Sequence, residues 1–576
     1  MSGLEYVFSV PNGSAVGIRY TATAEGAMAT DYPSRALLLT EHVRREVSHI
    51  RTGGYTYAGD GGGALYKRVG SEPAHAFKIQ SSDGAWWEGV PPPEGVNVKQ
   101  FGAVGDGVTD DRAAIQAAID YACQTTTGGV VNFPFGAGEV YGISTGLTLD
   151  FEQGVNTTKH IVLQGMGAPW APTQGAVEKA RIQWIGASGG GPMLTLLNPL
   201  DVVIDRIGFD GNDLAAHCIE QIGETGGYGN INWDRCAFER TTKALFKFTG
   251  SVDGGQNKIE KCIFAQRRAL TGTAKDDALL LYEGANNIHD QIINCTMTYT
   301  ISGAAAGYGI YRDTGACLVR VQGGFLKAAT CIYDSAGAGT MTLSVTDLYC
   351  ETGSSGSFYV AAKSVDTELN FTNVWHSSST TGYFIDMVGL SNGKPLTVFG
   401  GLTRAANVLR VSGVDEMPVT VIGFSDGGGA YSFPGTVGEY SNVTHIGCSR
   451  GAASGVLGGV HTSAFGLRMS DEESDGVLNV GPTYGSVKRV AISGGTVTIA
   501  APSPALTAAD DGLEFEIHLR NTSTGTPTTS WNAIYKHAGG SAATFPSGAP
   551  GTTIVRFRYR HALSDYVEIS RTEGVA

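Results

Sequence analysis

Charged residues are scarce in this sequence, making up only 16% of its 576 positions. A disordered chain would be rich in charge and poor in apolar residues, and because 42% of these residues are hydrophobic, we expect a folded chain. The formal net charge of −14 argues against a nucleic-acid binder, which would need clustered lysine and arginine. The same charge argues against simple electrostatic capture of an acidic polymer.

Paired cysteines and long apolar runs are also missing. The nine cysteines form no CxxC pair, and most of them lie within apolar strands. We therefore expect small buried side chains in a chain assembled under reducing conditions, with no disulfide framework, no metal and no cofactor. Residues 1–20 lack the basic start and apolar run of a signal peptide, and no apolar stretch has the length of a membrane span, so we expect no membrane insertion.

Glycine, in contrast, is abundant, and its 82 residues are about twice the usual share. So much glycine is typical of many tight turns between short strands. At 576 residues the chain is too long for one compact core, so we expect several domains or one elongated repeat.

The strongest helix signal lies in residues 93–122. Thr109 stands where an N-cap belongs, and Asp110 and Asp111 follow in the predicted first turn, where the backbone dipole favours negative charge. One apolar face repeats at helical spacing, with Ile115, Ala118, Ile119 and Ala122. Because only short apolar runs follow, broken by glycine, asparagine, aspartate and serine, we expect this short helix to cap the open end of a stack of strands.

From residue 160 to about 450 the chain repeats itself. Aligning the apolar end of each strand gives one column at intervals of 22 to 33 residues: Phe209, Phe238, Phe264, Met297, Phe325, Tyr349, Trp375, Leu402 and Phe424. The phrases DRIGF, DRCAF, EKCIF and INCTM support this register. The spacing predicts the coils of a solenoid, each too thin to bury its own apolar face. A TIM barrel would need a helix after each strand, and those helices are absent from the pattern.

The strings FGAVGDGVTDDRAAIQAAID (101–120) and GGVVNFPFGAGEVYGIS (128–144) resemble the opening of the pectate-lyase-like right-handed β-helices of phage tailspike and capsule-depolymerase proteins. The resemblance implies an all-β fold and a homotrimeric spike that binds and cuts bacterial capsular polysaccharide. It also implies a place in the virion, on a phage tail spike or fibre made in the host cytoplasm. From about residue 150 to 450 the chain resembles this family only in its architecture. The site residues therefore need a separate argument.

Three domains are predicted. Residues 1–92 form an N-terminal region that ends in a proline-rich linker, WWEGVPPPEG (86–95), and the resemblance implies that this region attaches to another phage tail protein. Residues 93–452 form the catalytic right-handed parallel β-helix. Residues 453–576 contain alternating strands such as TVTIA (496–500), LEFEIHL (513–519) and TIVRFRY (553–559), which predict a C-terminal antiparallel β-sandwich for trimerisation or carbohydrate binding.

A second column, of aromatic residues, suggests where the chemistry lies: Phe248, Tyr282, Tyr311, Tyr333 and Tyr359. In this register Glu283, Arg312 and Asp334 stack on three successive coils, and the two carboxylates are about 9–10 Å apart, near the upper end of the range for an inverting glycosidase. Asp313, directly behind Arg312, could stand closer to either. Tyr282, Tyr311 and Tyr333 could present flat faces to sugar. The alternative is interior packing followed by ordinary solvated turn residues.

A second set of polar residues directly follows the first column on successive coils. These residues are an alternative location for the site, and they could also form a sugar groove or a trimer contact. The candidate substrate-binding residues of this rival set are Glu239, Arg240, Tyr299, Lys327, Glu351, Trp375 and His376. Trp375 is a possible sugar platform and His376 a possible base, although a structural histidine is the more common case.

The preferred activity is endo-glycoside hydrolysis, with Glu283, Asp313 and Asp334 as candidate acid and base and Arg312 as a clamp. A polysaccharide lyase, with Tyr299, Lys327, Arg312 or His376 as its base, is the enzymatic alternative. A receptor-binding fibre that grips sugar without cutting it is the alternative outside enzymes.

Overall fold

The computed structural model describes residues 5–6, 18–22, 28–125, 128–136, 139–151, 159–166, 180–224, 229–250, 256–284, 287–315, 317–335, 341–352, 358–360, 369–377, 383–388, 396–404, 407–412, 419–422, 430–432, 443–446, 461–462, 468–472, 477–478, 486–492, 496–499, 514–521, 527–546 and 551–575. The chain divides into two compact units. The first comprises Met1–Lys394 with Leu402–Val414, and the second comprises Pro395–Gly401 with Asp415–Ala576.

The first unit begins with a mixed sheet. Its strands are Glu5–Tyr6, Ile18–Ala22, Met28–Tyr32, Val47–Thr52, Leu65–Val69, Lys78–Gln80 and Trp86–Val90, with a short helix at Arg35–Leu38. The prediction of a linker from residue 86 is therefore wrong in its first half, because Trp86–Val90 pairs with Leu65–Val69 and buries Trp87 completely. These five residues form a strand because their side chains alternate between buried and partly exposed positions and their backbone pairs with a neighbouring strand. The prolines come only after the strand has ended.

The capping helix is confirmed, but it starts later than predicted. It spans Arg112–Gln124, after a 3₁₀ turn at Val98–Phe101, and it packs on the first strands of the β-helix. Thr109 is not the N-cap, because Asp106–Asp110 is a strand that pairs with Val140–Ile143. The carboxylate of Asp111 instead accepts the backbone N–H groups of Val104 and Gly105, at 2.6 and 3.0 Å.

Three parallel sheets, here called faces A, B and C, wind as a right-handed β-helix in the rest of the first unit. Face A contains Gly128–Phe133, His160–Gly165, Asp201–Asp205, Asn230–Asp234, Gln256–Glu260, Asn287–Ile293, Cys317–Gln322 and Met341–Thr346, and Val96–Asn97 pairs with its first strand. The strand Leu369–His376 belongs to faces A and B, because its first residues pair with Met341–Thr346 and its last two pair with Tyr349–Thr352. Face B contains Val140–Ile143, Arg181–Trp184, Gly208–Asp210, Ala237–Glu239, Ile263–Gln266, Thr296–Ile301, Phe325–Ala328 and Tyr349–Thr352, and a short strand at Ala304–Ala305 pairs back onto Thr296–Ile301. Face C contains Leu147–Asp150, Pro192–Leu197, His217–Gly223, Phe246–Gly250, Ala278–Glu283, Tyr308–Arg312, Thr330–Asp334, Phe358–Val360, Tyr383–Val388 and Asn407–Ser412.

The repeated phrases form the turn from face A to face B. Arg206, Arg235, Lys261 and Asn294 occupy this turn in the left-handed region, with φ between 51° and 56°. The next residue of each phrase is buried, and in three coils it is a cysteine: Cys236, Cys262 and Cys295. Eight described cysteines are free and seven are buried, as expected, while Cys448 lies outside the described residues.

The first column is confirmed only in part. Phe209, Phe238, Phe264 and Met297 are aligned on adjacent coils and buried. Met297 then pairs with Leu326, so Phe325, Tyr349 and Trp375 are one residue out of register. Since side chains alternate between the two faces of a strand, this offset places the exposed rings of Tyr349 and Trp375 on the outside. Phe424 lies outside the described residues.

The second unit contains an antiparallel sheet at its C-terminal end. Glu514–Asn521, Gly551–Arg560 and Asp565–Val575 pair antiparallel, as two of the predicted strands required, around a core that includes Phe515, Ile517 and Phe557. TVTIA is different, because Thr496–Ile499 lies between Val477–Leu478 and Thr528–Trp531 in a parallel sheet. Alternation alone does not fix the direction of pairing.

The remaining described elements of the second unit are short. They are Val419–Ile422, Ala430–Ser432, Val443–Ile446, His461–Thr462, Arg468–Glu472, Ser486–Ile492 and Tyr535–Lys536, with 3₁₀ turns at Ala538–Gly540 and His561–Leu563. The strand Leu396–Thr403 contributes residues to both units.

Candidate active site

The predicted stack of Glu283, Arg312 and Asp334 is wrong by one residue. On face C, Tyr282 pairs with Arg312, and Arg312 pairs with Asp334. The side chains of Arg312 and Asp334 therefore point into the β-helix, where they are 1% and 0% exposed. Asp313 takes the place beside Glu283, and its backbone N–H donates to the carbonyl of Tyr282 at 2.8 Å.

The interior pair is well hydrogen-bonded on the arginine side. Arg312 donates to Asp334 Oδ1 at 2.5 Å, to the carbonyl of Gly315 at 2.8 Å and to the carbonyl of Ser335 at 3.3 Å. Asp334 Oδ2 is buried and has no hydrogen-bond partner among the described residues. Burial raises the pKa of Asp334 to about 6, against the opposing effect of Arg312. A substrate outside the β-helix cannot touch either group.

Tyr282 is also an interior residue. Its ring stacks on Phe248 at 4.6 Å between centroids, and its hydroxyl donates to Asp290 Oδ2 at 3.0 Å. The side chain is completely buried, so it cannot contact a sugar.

Glu283 and Asp313 lie together on the outer surface of face C, on adjacent coils about 4.8 Å apart. Their side chains are 26% and 30% exposed. The ammonium group of Lys275 contacts Glu283 and lies 3.5 Å from Asp313 Oδ2, so it bridges the two carboxylates. Lys247 lies 3.1 Å from Glu283 and 3.1 Å from Glu220.

The two lysines decide the charge state of this site. Partial burial raises the pKa of Glu283, but hydrogen bonds from Lys275 and Lys247 outweigh that effect and lower it. Contact with Glu283 raises the pKa of Lys275. Burial lowers the pKa of Lys247, but Glu220 and Glu283 outweigh it, so the pKa of Lys247 is raised too. Glu283 is therefore ionised and both lysines are protonated at neutral pH.

Three tyrosines border the carboxylates: Tyr308, Tyr311 and Tyr333. The rings of Tyr311 and Tyr333 stack at 4.8 Å with an interplanar angle of 15°, and Tyr308 meets both edge-on at 5.1 Å. Stacked rings cover each other's faces, so they do not offer the flat sugar platform that the sequence suggested. Burial and nearby Asp313 raise the pKa of Tyr311 to about 12. The side chain of Tyr359 lies outside the described residues.

Residues 267–277, which connect face B to face C, hold Lys275 in place. Asp277 is 3% exposed and accepts hydrogen bonds from Arg268 at 2.7 Å and from the backbone N–H of Thr271 at 2.8 Å. Sequence reasoning missed Lys275, Lys247 and Asp277. Length could have pointed to the loop that carries Lys275 and Asp277, because the preceding turns between these faces, 211–216 and 240–245, are much shorter. Lys247 lies on the strand Phe246–Gly250, where loop length gives no signal.

Two of the rival residues lie inside the β-helix. Tyr299 is completely buried, and its hydroxyl donates to Asp277 Oδ1 at 3.4 Å. His376 is hydrogen-bonded to Thr352 at 2.8 Å and to Thr403 at 2.9 Å, and burial lowers its pKa to about 4. Neither side chain is placed to act on an external substrate.

The other rival residues lie on the outside of face B, a different face from Glu283. Lys327 and Glu351 form an ion pair at 3.0 Å. Glu239 contacts Arg181 at 3.2 Å, and Arg240 contacts the buried carboxylate of Asp210. Trp375 is 50% exposed, and its indole N–H donates to Asn373 at 2.8 Å. The structure therefore separates this line from the carboxylate pair.

The described residues contain no group of three or more histidine, cysteine, aspartate or glutamate side chains that could hold a metal ion. Among the same residues, no helix is long and apolar enough to cross a membrane.

Sequence comparisons relate a short part of this chain to mannuronan C5-epimerases and to a plasmin and fibronectin-binding protein. Mannuronan C5-epimerase AlgE1 of Azotobacter vinelandii is 54% identical over 74 residues, which are 12% of this chain and 5% of that protein. The plasmin and fibronectin-binding protein A of Streptococcus pneumoniae is 61% identical over 41 residues, 7% of this chain and 6% of that protein. The chain thus spans about a twentieth of the length of these curated relatives.

Solved tailspikes are similar over most of the chain at low identity. The Acinetobacter phage vB_ApiP_P1 tailspike is 14% identical with a TM-score of 0.44, covering 94% of this chain and 90% of that one. Tailspike gp49 of Acinetobacter baumannii bacteriophage Fri1, a capsular polysaccharide depolymerase, is 11% identical with a TM-score of 0.37, covering 94% and 91%. Tailspike protein 4 of bacteriophage CBA120 is 12% identical with a TM-score of 0.43, covering 73% and 53%.

A family model gives the remaining match. It is described as rhamnogalacturonase A/epimerase, pectate lyase-like, and it covers residues 95–294, which run from the capping helix through the coil that carries Glu283. The three parallel faces of the first unit are the architecture that this description implies. Residues 95–294 are therefore similar to this pectate-lyase-like family.

Proposed function

We propose that this protein is a phage tailspike depolymerase that binds bacterial capsular polysaccharide and cleaves it by endo-glycoside hydrolysis at Glu283 and Asp313. The observation that carries the proposal is the pair of half-exposed carboxylates on adjacent coils of face C, bridged by Lys275. Glycoside hydrolysis needs two carboxyl groups that flank one bond, and the outer surface of the β-helix leaves room for a long polymer.

We assign a retaining mechanism, because the single ammonium group of Lys275 contacts both carboxylates. Retaining enzymes hold their carboxyl groups about 5–5.5 Å apart, whereas inverting enzymes need about 6.5–9.5 Å. Glu283, whose pKa Lys275 and Lys247 lower against partial burial, suits the nucleophile, which must be ionised. Asp313, with its one longer contact to Lys275, is assigned as the acid that protonates the leaving oxygen and then activates water.

The electrostatics support hydrolysis over β-elimination. A lyase needs a base that can release its proton near neutral pH. Contact with carboxylates raises the pKa of Lys275, and burial raises the pKa of Tyr311 to about 12 and also raises that of Tyr299. The buried His376, with its pKa at about 4, is out of reach of a polymer on the surface.

The wider setting belongs to the same proposal. We assign residues 1–92 to attachment to another tail protein, 93–452 to the catalytic β-helix and 453–576 to trimerisation or carbohydrate binding in a homotrimeric spike of the virion. Glu239, Arg240, Lys327, Glu351 and Trp375 remain proposed secondary contacts for the polymer on face B.

Product analysis tests the reaction. Capsular polysaccharide digested with the purified protein should gain reducing ends without the ultraviolet absorbance of an unsaturated uronic acid, which marks elimination. Glu283→Gln and Asp313→Asn should each lower the rate by about 10³-fold, within the usual range for acid and base residues.

Glu260→Gln is the matched control, because Glu260 is held by Lys258 and Lys261 at 2.6 and 2.7 Å on face A. It should keep full activity. If the digest contains elimination products, the lyase alternative is correct and hydrolysis is wrong. If the polymer stays intact, the receptor-binding fibre is the alternative that remains. Full activity in both Glu283→Gln and Asp313→Asn, with loss in Glu351→Gln, would move the site to face B.

A further inference from the structure

A cleft of about 300 Å³ opens where face B turns toward face C, and it is unusually rich in arginine. Its lining residues are Asp213, Arg240, Thr242, Arg267 and Arg268. Arg267 and Arg268 begin the loop 267–277, which also carries Lys275 to the carboxylate pair, so the two places share one loop.

Hydrogen bonds to other protein groups hold two of the three arginines in position. Arg240 donates from Nε to Asp210 Oδ1 at 2.7 Å, and its Nη2 contacts the other carboxylate oxygen. Arg268 donates to the carbonyls of Thr241 at 3.0 Å and Asp276 at 2.6 Å, besides its bond to Asp277. Guanidinium groups held in this way lose little freedom when a ligand arrives.

Two of the three arginines that line the cleft have a carboxylate partner. Arg268 pairs with Asp277, and Arg240 pairs with the buried Asp210, which also contacts Arg181, while Arg181 has Glu239 as a second partner at 3.2 Å. Arg267 is exposed and has no ion pair among the described residues. Asp213 is exposed at the edge of the cleft and is the one acidic group that lines it.

We infer that this cleft binds the carboxylate of an acidic sugar, so that the polymer cleaved at Glu283 and Asp313 carries uronate units. Arginine presents parallel N–H donors that match both oxygens of a carboxylate, and the hydroxyl of Thr242 adds a polar neighbour. The identity of the polymer rests on the proposed function, but the binding of the carboxylate does not. The net charge of the whole chain works against distant attraction, so recognition here is local.

Binding of a matched pair of ligands tests the inference on the full chain. The probes are a uronate-containing tetrasaccharide and the same tetrasaccharide after its carboxylates are reduced to primary alcohols, measured by calorimetry in the Glu283→Gln background to prevent cleavage. The native probe should bind about tenfold more tightly than the reduced one, and added salt should reduce the difference.

Three variants locate the effect. Arg267→Gln should remove most of the preference for the native probe, whereas Arg320→Gln, which changes an exposed arginine on face A, should keep it. Asp213→Asn removes a negative charge that repels the carboxylate, so the affinity for the native probe should rise about twofold. Equal affinity for the two probes, equal behaviour of Arg267→Gln and Arg320→Gln, or weaker binding by Asp213→Asn would each overturn the carboxylate subsite.

The outcome stays separable from that of the proposed function. If the preference holds but Glu283→Gln and Asp313→Asn still cleave, the subsite stands and the catalytic assignment falls. If those variants are inactive but the probes bind equally, the catalytic assignment stands and the subsite falls.

Discussion

Two pairs of charged residues on adjacent coils of face C behave in opposite ways. Arg312 and Asp334 point into the β-helix, and burial raises the pKa of Asp334 to about 6. Glu283 and Asp313 point outward, and Lys275 and Lys247 lower the pKa of Glu283 against partial burial. The side of the sheet on which a carboxyl lies therefore decides whether desolvation or nearby cations govern its pKa.

The interior positions hold an ion pair in which Asp334 Oδ2 has no hydrogen-bond partner among the described residues, and the outer positions hold groups that solvent can reach. A substitution inside should alter folding, and a substitution outside should alter turnover.

The largest expected effect on stability comes from the interior. Arg312→Met leaves Asp334 buried without its cation, which should lower the free energy of unfolding at neutral pH by about 3–5 kcal/mol. Denaturant unfolding followed by circular dichroism measures the change. The double variant Arg312→Met, Asp334→Leu removes both charges and should recover most of it, and an unchanged midpoint in the single variant would contradict the buried pair.

The next effect is the pH dependence of Asp334. Its carboxyl holds a proton more tightly in the folded chain than in the unfolded one, so its contribution to stability is fully present below about pH 4 and is lost as pH rises through about 6. The loss is about 3 kcal/mol for a shift of roughly two units. The stability difference between the parent and Asp334→Asn should therefore change over this window, and a constant difference would disprove the shift.

His376 should matter less, and only for stability. His376→Gln loses contacts with Thr352 and Thr403 and should lower the free energy of unfolding by about 2 kcal/mol. The rate per folded molecule should not change, because the side chain is buried. A loss of turnover with an unchanged melting temperature would restore His376 as a candidate base.

The smallest effect comes from the bridging lysine. Lys275→Met removes one of two cations from Glu283, so the pKa of Glu283 should rise, and only modestly because Lys275 is partly exposed. The acid limb of the pH–rate profile should move to higher pH. Lys261→Met, which removes a cation from Glu260 on face A, should leave the profile in place.

The candidate site could be predicted only to within one residue along the strand. The aromatic column drew attention to the coils that carry Glu283 and Asp313, but it assumed that Tyr282 and Tyr311 are equivalent. Tyr282 points inward and pairs with Arg312, whereas Tyr311 pairs with Leu281 and faces out. A tyrosine suits either side of a strand, so the pattern could not choose between them, and an offset of one residue exchanges inside and outside.

The sequence by itself determined the local features of this protein. The capping helix follows from the spacing of Ile115, Ala118 and Ile119, and the coils follow from the recurring turn phrase, because both depend on residues close in the chain. Only the tertiary structure decided which side chains meet across coils. The position of Lys275 between Glu283 and Asp313 depends on how a long loop folds back, and hydrogen bonds between distant strands, not neighbouring residues, fix that register.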